Sequence, residues 1–128
     1  MKIPILKLKE LLLTSIHVDL TDEDAKEFQN DVLHRVSQTE AKGIVIDISA
    51  LEVVDSFMAR VLNETVSMAQ FLGAQAVICG MQPDVALTLI EMGRELVGVE
   101  AALNLEEGVD KIQRRLRLEE RGGHAWKS

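Results

Sequence analysis

Residues 43–62 read Gly43-Ile44-Val45-Ile46-Asp47-Ile48-Ser49-Ala50-Leu51-Glu52-Val53-Val54-Asp55-Ser56-Phe57-Met58-Ala59-Arg60-Val61-Leu62. The opening is almost continuous Ile and Val. A strand with one wet face alternates apolar and polar residues, whereas an unbroken β-branched run suits a strand buried on both faces. Asp47 interrupts the run near its end, and a short connection follows. Met58, Val61, Leu62, Thr65, Ala69 and Leu72 then recur at helical spacing. They predict a helix from about Ser56 to Leu72, closed by Gly73 at a position where left-handed backbone is common. A buried strand followed by a short loop and a helix implies an α/β domain.

The flanking sequence extends this pattern. Gln75 to Gly80 reads as a second buried strand. Pro83 suits the first position of another helix, with Asp84 in its first turn. Val85, Ala86, Leu89 and Ile90 form its expected inner face, and Gly93 its expected end. A short strand over 99–102 and an amphipathic helix marked by Val109, Ile112 and Leu116 complete the chain. Upstream, Thr21 reads as a helix N-cap, with Asp22, Glu23 and Asp24 in the first turn. Ala25, Phe28, Val32 and Val36 define that helix's buried face, and it should stop between 39 and 43. Ile3–Lys9 and Leu11–Val18 read as a hairpin turning near Lys9-Glu10. The expected architecture is a mixed, mostly parallel sheet of four to five strands with about four helices packed on it. The domain is expected to span 1–118. Residues 119–128 lack periodicity and read as a mobile tail containing Trp126.

Composition narrows the function. A chain of 128 residues with 47% apolar content fits one domain with one packed core. It has no long uncharged apolar stretch for a transmembrane helix, and charges interrupt its N-terminus, so the cytosol is the expected compartment. The formal charge of −7 argues against nucleic acid and anionic membrane surfaces as partners. Lys111, Arg114, Arg115 and Arg117 do cluster, but Glu106, Glu107, Asp110, Glu119 and Glu120 flank them, as on a solvated helix face. Cys79 is the only cysteine, which excludes an internal disulfide and a multi-thiolate metal site. Its apolar neighbours mark it as a packed core residue.

No phosphate-cradling G-x-x-x-x-G-K-[ST] or G-x-G-x-x-G is present, nor a G-x-S-x-G elbow. His17, read as lying in a strand, His34 and His124 lack metal-ligand spacing. Neither a cofactor nor a catalytic residue is expected. Ser56 has three readings. It caps the helix, or it is a nucleophile, which would need a base and an orienting group brought to it by folding; a third reading comes only with the resemblance that follows.

The Asp47–Leu62 segment with its Asp55-Ser56 pair resembles the STAS domain of bacterial anti-sigma-factor antagonists. Gly80-Met81-Gln82-Pro83-Asp84-Val85-Ala86-Leu87-Thr88-Leu89-Ile90-Glu91-Met92-Gly93 is similar to the corresponding stretch of stressosome STAS proteins, and Ile3-Pro4-Ile5-Leu6-Lys7-Leu8 to the opening of their small scaffold members. The resemblance covers residues 2 to 118. Simple antagonists follow Asp-Ser with Ser or Thr and then Gly, whereas Phe57 and Met58 stand here, which favours the stressosome branch. The chain begins at the first STAS strand, as the minimal scaffold does, whereas sensor paralogues carry an extra N-terminal domain.

The resemblance implies a non-catalytic regulatory scaffold phosphorylated on Ser56 by a switch serine kinase. The unphosphorylated chain would self-associate and assemble with sensor STAS paralogues into a large stressosome, holding the kinase. Phosphorylation would release the kinase into a sigma-factor stress-response cascade, and a separate phosphatase would reset Ser56. Asp55, Phe57, Met58 and Arg60 are the expected partner-binding residues, in a patch made acidic by Asp55, Asp47 and Glu52. The alternatives are a simple anti-sigma-factor antagonist, or an accessory STAS subunit of a transport complex with Ser56 only a helix cap.

Overall fold

The computed structural model describes residues 2–92 and 100–127, the side chains of Met92 and of 121–127 excepted. Its elements are β1 (Ile5–Leu8), β2 (Leu11–Ser15), α1 (Asp22–Thr39), β3 (Gly43–Asp47), α2 (Ser56–Phe71), β4 (Gln75–Cys79), α3 (Pro83–Met92), β5 (Glu100–Ala102) and α4 (Leu105–Lys127). The strands lie in chain order across one sheet. β1 and β2 form an antiparallel hairpin, and β2, β3, β4 and β5 are mutually parallel.

Sequential order with parallel neighbours has a consequence. Strand–helix–strand crossovers are right-handed, so crossovers that advance in one direction deposit their helices on one face. α1, α2 and α3 accordingly share one core with Leu12, Ile16, Ile44, Ile46, Ile48, Ala76 and Ile78. The opposite face carries α4, packed through Ile112 against Leu11, Val45, Val77 and Cys79. Successive strand side chains point to opposite faces, so the unbroken run in β3 feeds both cores. Ile44, Val45 and Ile46 are fully buried, each contributing about 2 kcal/mol of apolar burial. Gly108 lets α4 lie close to the sheet, since a Cβ there would stand 2.8 Å from Val45 Cγ1.

Local signals act as expected at several ends. Thr21 caps α1 in a reciprocal capping box with Asp24. The hairpin turns at Lys9-Glu10, with Lys9 at φ 55°. Other expectations are corrected. Leu72 and Ile90 are exposed rather than inward, because Leu72 lies past the end of α2 and Ile90 sits about 100° around α3 from Leu89, which faces α2. β2 ends at Ser15, so His17 lies beyond the strand and is exposed. α4 continues to Lys127, so helical backbone runs through the expected boundary at 118 and residues 119–127. The end at Gly93 and the start of the last strand at Val99 lie outside the described residues.

The basic cluster on α4 has more work than a solvated face would give it. Lys111 Nζ donates to the Ala101 carbonyl at 2.7 Å and lies 3.5 Å from Glu100 Oε2, and Arg115 pairs with the other Glu100 oxygen. These contacts tie α4 to β5 and cover part of that sheet edge with a cation, a common protection against strand pairing. Arg114 instead pairs with Asp110 at 2.9 Å along the helix.

Gly80, just after β4, sits at φ 75°, and a Cβ there would lie 2.7 Å from Ser49 Cβ and 2.8 Å from Asp47 Oδ1. Gly73 also has positive φ, but a Cβ there would meet nothing within 4 Å. Gly80→Ala should therefore cost about 3 kcal/mol and Gly73→Ala about 1 kcal/mol, read from urea midpoints at unchanged slope. Equal losses would show that the contacts around Gly80 are not constraining.

Candidate functional site

Each parallel strand hands the chain to a helix at its C-terminal end, so α1, α2 and α3 all begin at the same end of the sheet. The β3–α2 connection, residues 48–55, lies there. Its base is fixed by backbone bonds: Ile48 N–H donates to the Cys79 carbonyl at 3.0 Å, and Leu51 N–H to the Ile48 carbonyl at 3.0 Å. Leu51 and Val54 plunge into the main core and hold the connection down, leaving Val53 between them 79% exposed.

Asp47 braces the same loop. Its Oδ1 accepts from Ser49 N–H at 3.0 Å, and its Oδ2 from Ser15 Oγ at 3.2 Å. Asp47 is thus a structural anchor between β2, β3 and the loop, with both oxygens engaged. The exposed acids of the connection are Glu52 and Asp55.

Asp55 is the N-cap of α2. Its backbone is extended, its Oδ1 accepts from Met58 N–H at 2.8 Å, and its carbonyl accepts the first helical bond from Ala59 N–H at 2.9 Å. Capping therefore falls to Asp55, and the reading of Ser56 as only a helix cap is corrected. An ionised carboxylate is the stronger acceptor for orphan N–H groups, and it precedes the serine by one residue. Ser56 is the first helical residue, exposed, with its hydroxyl relieved of that duty. A serine nucleophile needs a hydrogen-bonded base; among the described residues Ser56 has none.

The neighbouring residues divide between surface and core. Arg60, one turn beyond Ser56, is exposed, and Phe57 is half-buried. Met58 is half-buried and packs against the main core. Ala59 is wholly buried and seats the first turn. Charge distribution distinguishes α2 from its neighbours. The first turn of α1 holds Asp22, Glu23 and Asp24, and that of α3 holds Asp84, but that of α2 holds no acidic residue. Its positive end is countered only by the Asp55 cap.

Cys79 lies below this end of the sheet. Burial, followed by the nearby Asp47 charge, pushes its thiol up to about 12. At neutral pH it is a protonated packing group rather than a nucleophile. Thr65 is fully buried, whereas Thr88 is half-buried and donates to the Asp84 carbonyl at 3.0 Å within its own helix. Among the described residues no cluster of His, Cys, Asp and Glu could hold a metal ion, and no helix is long and apolar enough to cross a membrane. The sequence reading missed the buried polar side chains Gln29 and Asn63. Their only signal was position, because Gln29 follows Phe28 on the inner face of α1 and Asn63 follows Leu62 on α2.

The STAS-domain family model matches residues 3–111. The fold superposes on a serine-to-glutamate variant of RsbS from Moorella thermoacetica with a TM-score of 0.83 and 44% identity, over 91% of this chain and 99% of that one. A chain from the structure of the stressosome, described as a signal integration and transduction hub, matches with a TM-score of 0.79 and 46% identity, over 89% of this chain and 99% of that one. The RsbT co-antagonist protein RsbRA of Bacillus subtilis is 27% identical over 68% of this chain. This chain spans about a third of that relative's length, 32%.

Two substitutions test the division of roles at the start of α2. Asp55→Ala should lower stability by about 1 kcal/mol through loss of the cap, while Ser56→Ala stays within about 0.5 kcal/mol of wild type. A larger loss for Ser56→Ala in chemical denaturation would return the cap to Ser56. The Cys79 thiol should resist alkylation in the folded chain at pH 8 and react promptly in denaturant; rapid modification without denaturant would contradict its burial and raised pKa.

Proposed function

The chain belongs to the STAS family, and from that premise we propose that it is a non-catalytic regulatory scaffold of a stressosome whose switch is phosphorylation of Ser56. One observation carries the reading: Ser56 is presented at the exposed first position of α2, while Asp55 performs the capping. The similarity to RsbS and to a stressosome chain along almost their whole length supports assembly with like subunits and with larger STAS paralogues. The partner that modifies Ser56 is a serine kinase, and the RsbT of the relatives' names is the first candidate. A separate phosphatase resets the site. Nothing in this scheme requires a cofactor, and the cytosol is the compartment it implies.

The local electrostatics suit a reversible switch. A phosphate adds about −1.5 to −2 charges. At the first position of α2 it enters the positive end of a helix whose first turn has no acid of its own. Free N–H groups and the helix dipole favour it there. Arg60 lies four residues on, the spacing at which helical side chains are neighbours, and can supply a charge-assisted hydrogen bond. Phosphorylation thus leaves the fold intact and works on the surface.

A partner packed over Phe57 and Arg60 loses twice. It must desolvate a phosphate beside Asp55, and it loses Arg60 to that phosphate. A penalty of about 3 kcal/mol weakens binding about a hundredfold, enough to release a kinase.

The purified chain and Ser56→Ala should be incubated with ATP and the kinase, and phosphate mapped by mass spectrometry. Phosphate is expected on Ser56 alone and absent from the variant. Ser56→Glu should melt no lower than wild type, yet bind the kinase about a hundredfold more weakly. Phosphate elsewhere, or full kinase affinity in Ser56→Glu, would remove Ser56 from the mechanism.

A further inference from the structure

Among the described residues four polar side chains are buried: Thr14, Gln29, Asn63 and Thr65. Thr14 ties β2 to the N-terminal segment through the Pro4 carbonyl at 2.9 Å. The other three belong to the two faces of α2. On the α1 side, Gln29 Nε2 donates to the Val61 carbonyl at 3.3 Å and to Thr65 Oγ1 at 3.2 Å, while Thr65 Oγ1 donates to the same Val61 carbonyl at 2.6 Å. On the α3 side, Asn63 Nδ2 donates to the Leu89 carbonyl at 3.3 Å. Leu89 lies in the second half of α3, on the side that faces α2. Asn63 therefore links α2 to a backbone carbonyl of α3.

This placement is not what packing alone would choose. An aliphatic side chain could occupy either position without the desolvation cost of an amide. What an apolar helix interface supplies poorly is a unique axial position, since ridges and grooves repeat along the helix. A buried donor has one good acceptor within reach and is penalised at any other setting. α2 is held in this way on both sides, by Gln29 to α1 and by Asn63 to α3. It is also the helix whose first residue is Ser56.

We propose that Gln29 and Asn63 are positioning residues that set the axial register of α2, and with it the height at which Ser56 is presented to its kinase. The proposal rests on the reading of Ser56 as the phosphorylated residue. Neither side chain touches the phosphorylation site. Both act through α2, whose intact backbone carries a shift at 61–65 to the residue at 56. The Asn63 bond also ties α3 to α2, so the surfaces flanking Ser56 are set together.

The test uses Gln29→Leu and Asn63→Leu in the full chain, with Thr65→Val as a third variant that removes a hydroxyl without changing shape. Native-state amide exchange should quicken about tenfold in α2, on the scale of a lost buried hydrogen bond, while β3 and β4 keep their protection. Well below the melting temperature, the same variants should lose kcat/KM for phosphorylation of Ser56 by about tenfold, with melting temperatures close to wild type. Unchanged exchange in α2, or acceleration spread evenly over every element, would overturn the proposal and leave these amides as ordinary packing. So would wild-type phosphorylation kinetics in variants whose α2 has loosened. A wild-type chain that takes no phosphate on Ser56 overturns the switch reading instead; the exchange comparison, made without kinase, tells the two failures apart.

Discussion

Burial of β3 on both faces is the constraint from which the rest of the molecule follows. Ile44, Val45 and Ile46 have no exposed surface and alternate between the two cores. A strand in that position must have a paired neighbour on each edge and a layer of helix on each side. β2 and β4 supply the pairing, α1 with α2 one cover, and α4 the other. Because the parallel crossovers share one hand, three helices gather on one face and their N-termini at one end of the sheet. The site is thus a by-product of the way the sheet is covered, as in open α/β sheets generally, where function collects beyond the strands' C-terminal ends.

Within that end, neighbouring residues have separate tasks. Asp47 turns inward to join Ser15 and the Ser49 amide, and so holds the base of the loop. Leu51 and Val54 anchor its middle. Asp55 satisfies the N-terminus of α2 through the Met58 amide. Support and capping at the start of α2 are thus supplied by the neighbours of Ser56. The same logic separates the core-packed Met58 from the exposed Arg60 two residues later.

The two faces of the sheet differ in how they are held. On the three-helix face, buried amides and a hydroxyl add directional bonds to an otherwise apolar interface. On the other face α4 relies on Ile112, Val109 and the close approach at Gly108, with Glu100, Lys111 and Arg115 at its margin. These ion pairs are partly open to solvent, which screens them and lowers what they contribute. The directional bonds are therefore concentrated around the helix that carries Ser56.

Much of this was legible in the amino-acid sequence. The Ile/Val run of β3, the helical stripes of α1 and α2, Thr21 as a cap and Pro83 as a helix start are local signals, because pleat, helical turn and capping geometry act over a few residues. The Asp-Ser pair and its surroundings carried the family resemblance and pointed to Ser56. Tertiary structure decided what depends on residues far apart in the chain. It assigned the cap to Asp55, turned Asp47 inward toward Ser15, left Ile90 and Leu72 uncovered, and gave Lys111 and Arg115 to β5. Gln29 and Asn63 illustrate the difference most clearly. An amide among apolar neighbours looks the same in sequence whether it faces water or a carbonyl, and only the packing of α1, α2 and α3 supplies the carbonyl it meets.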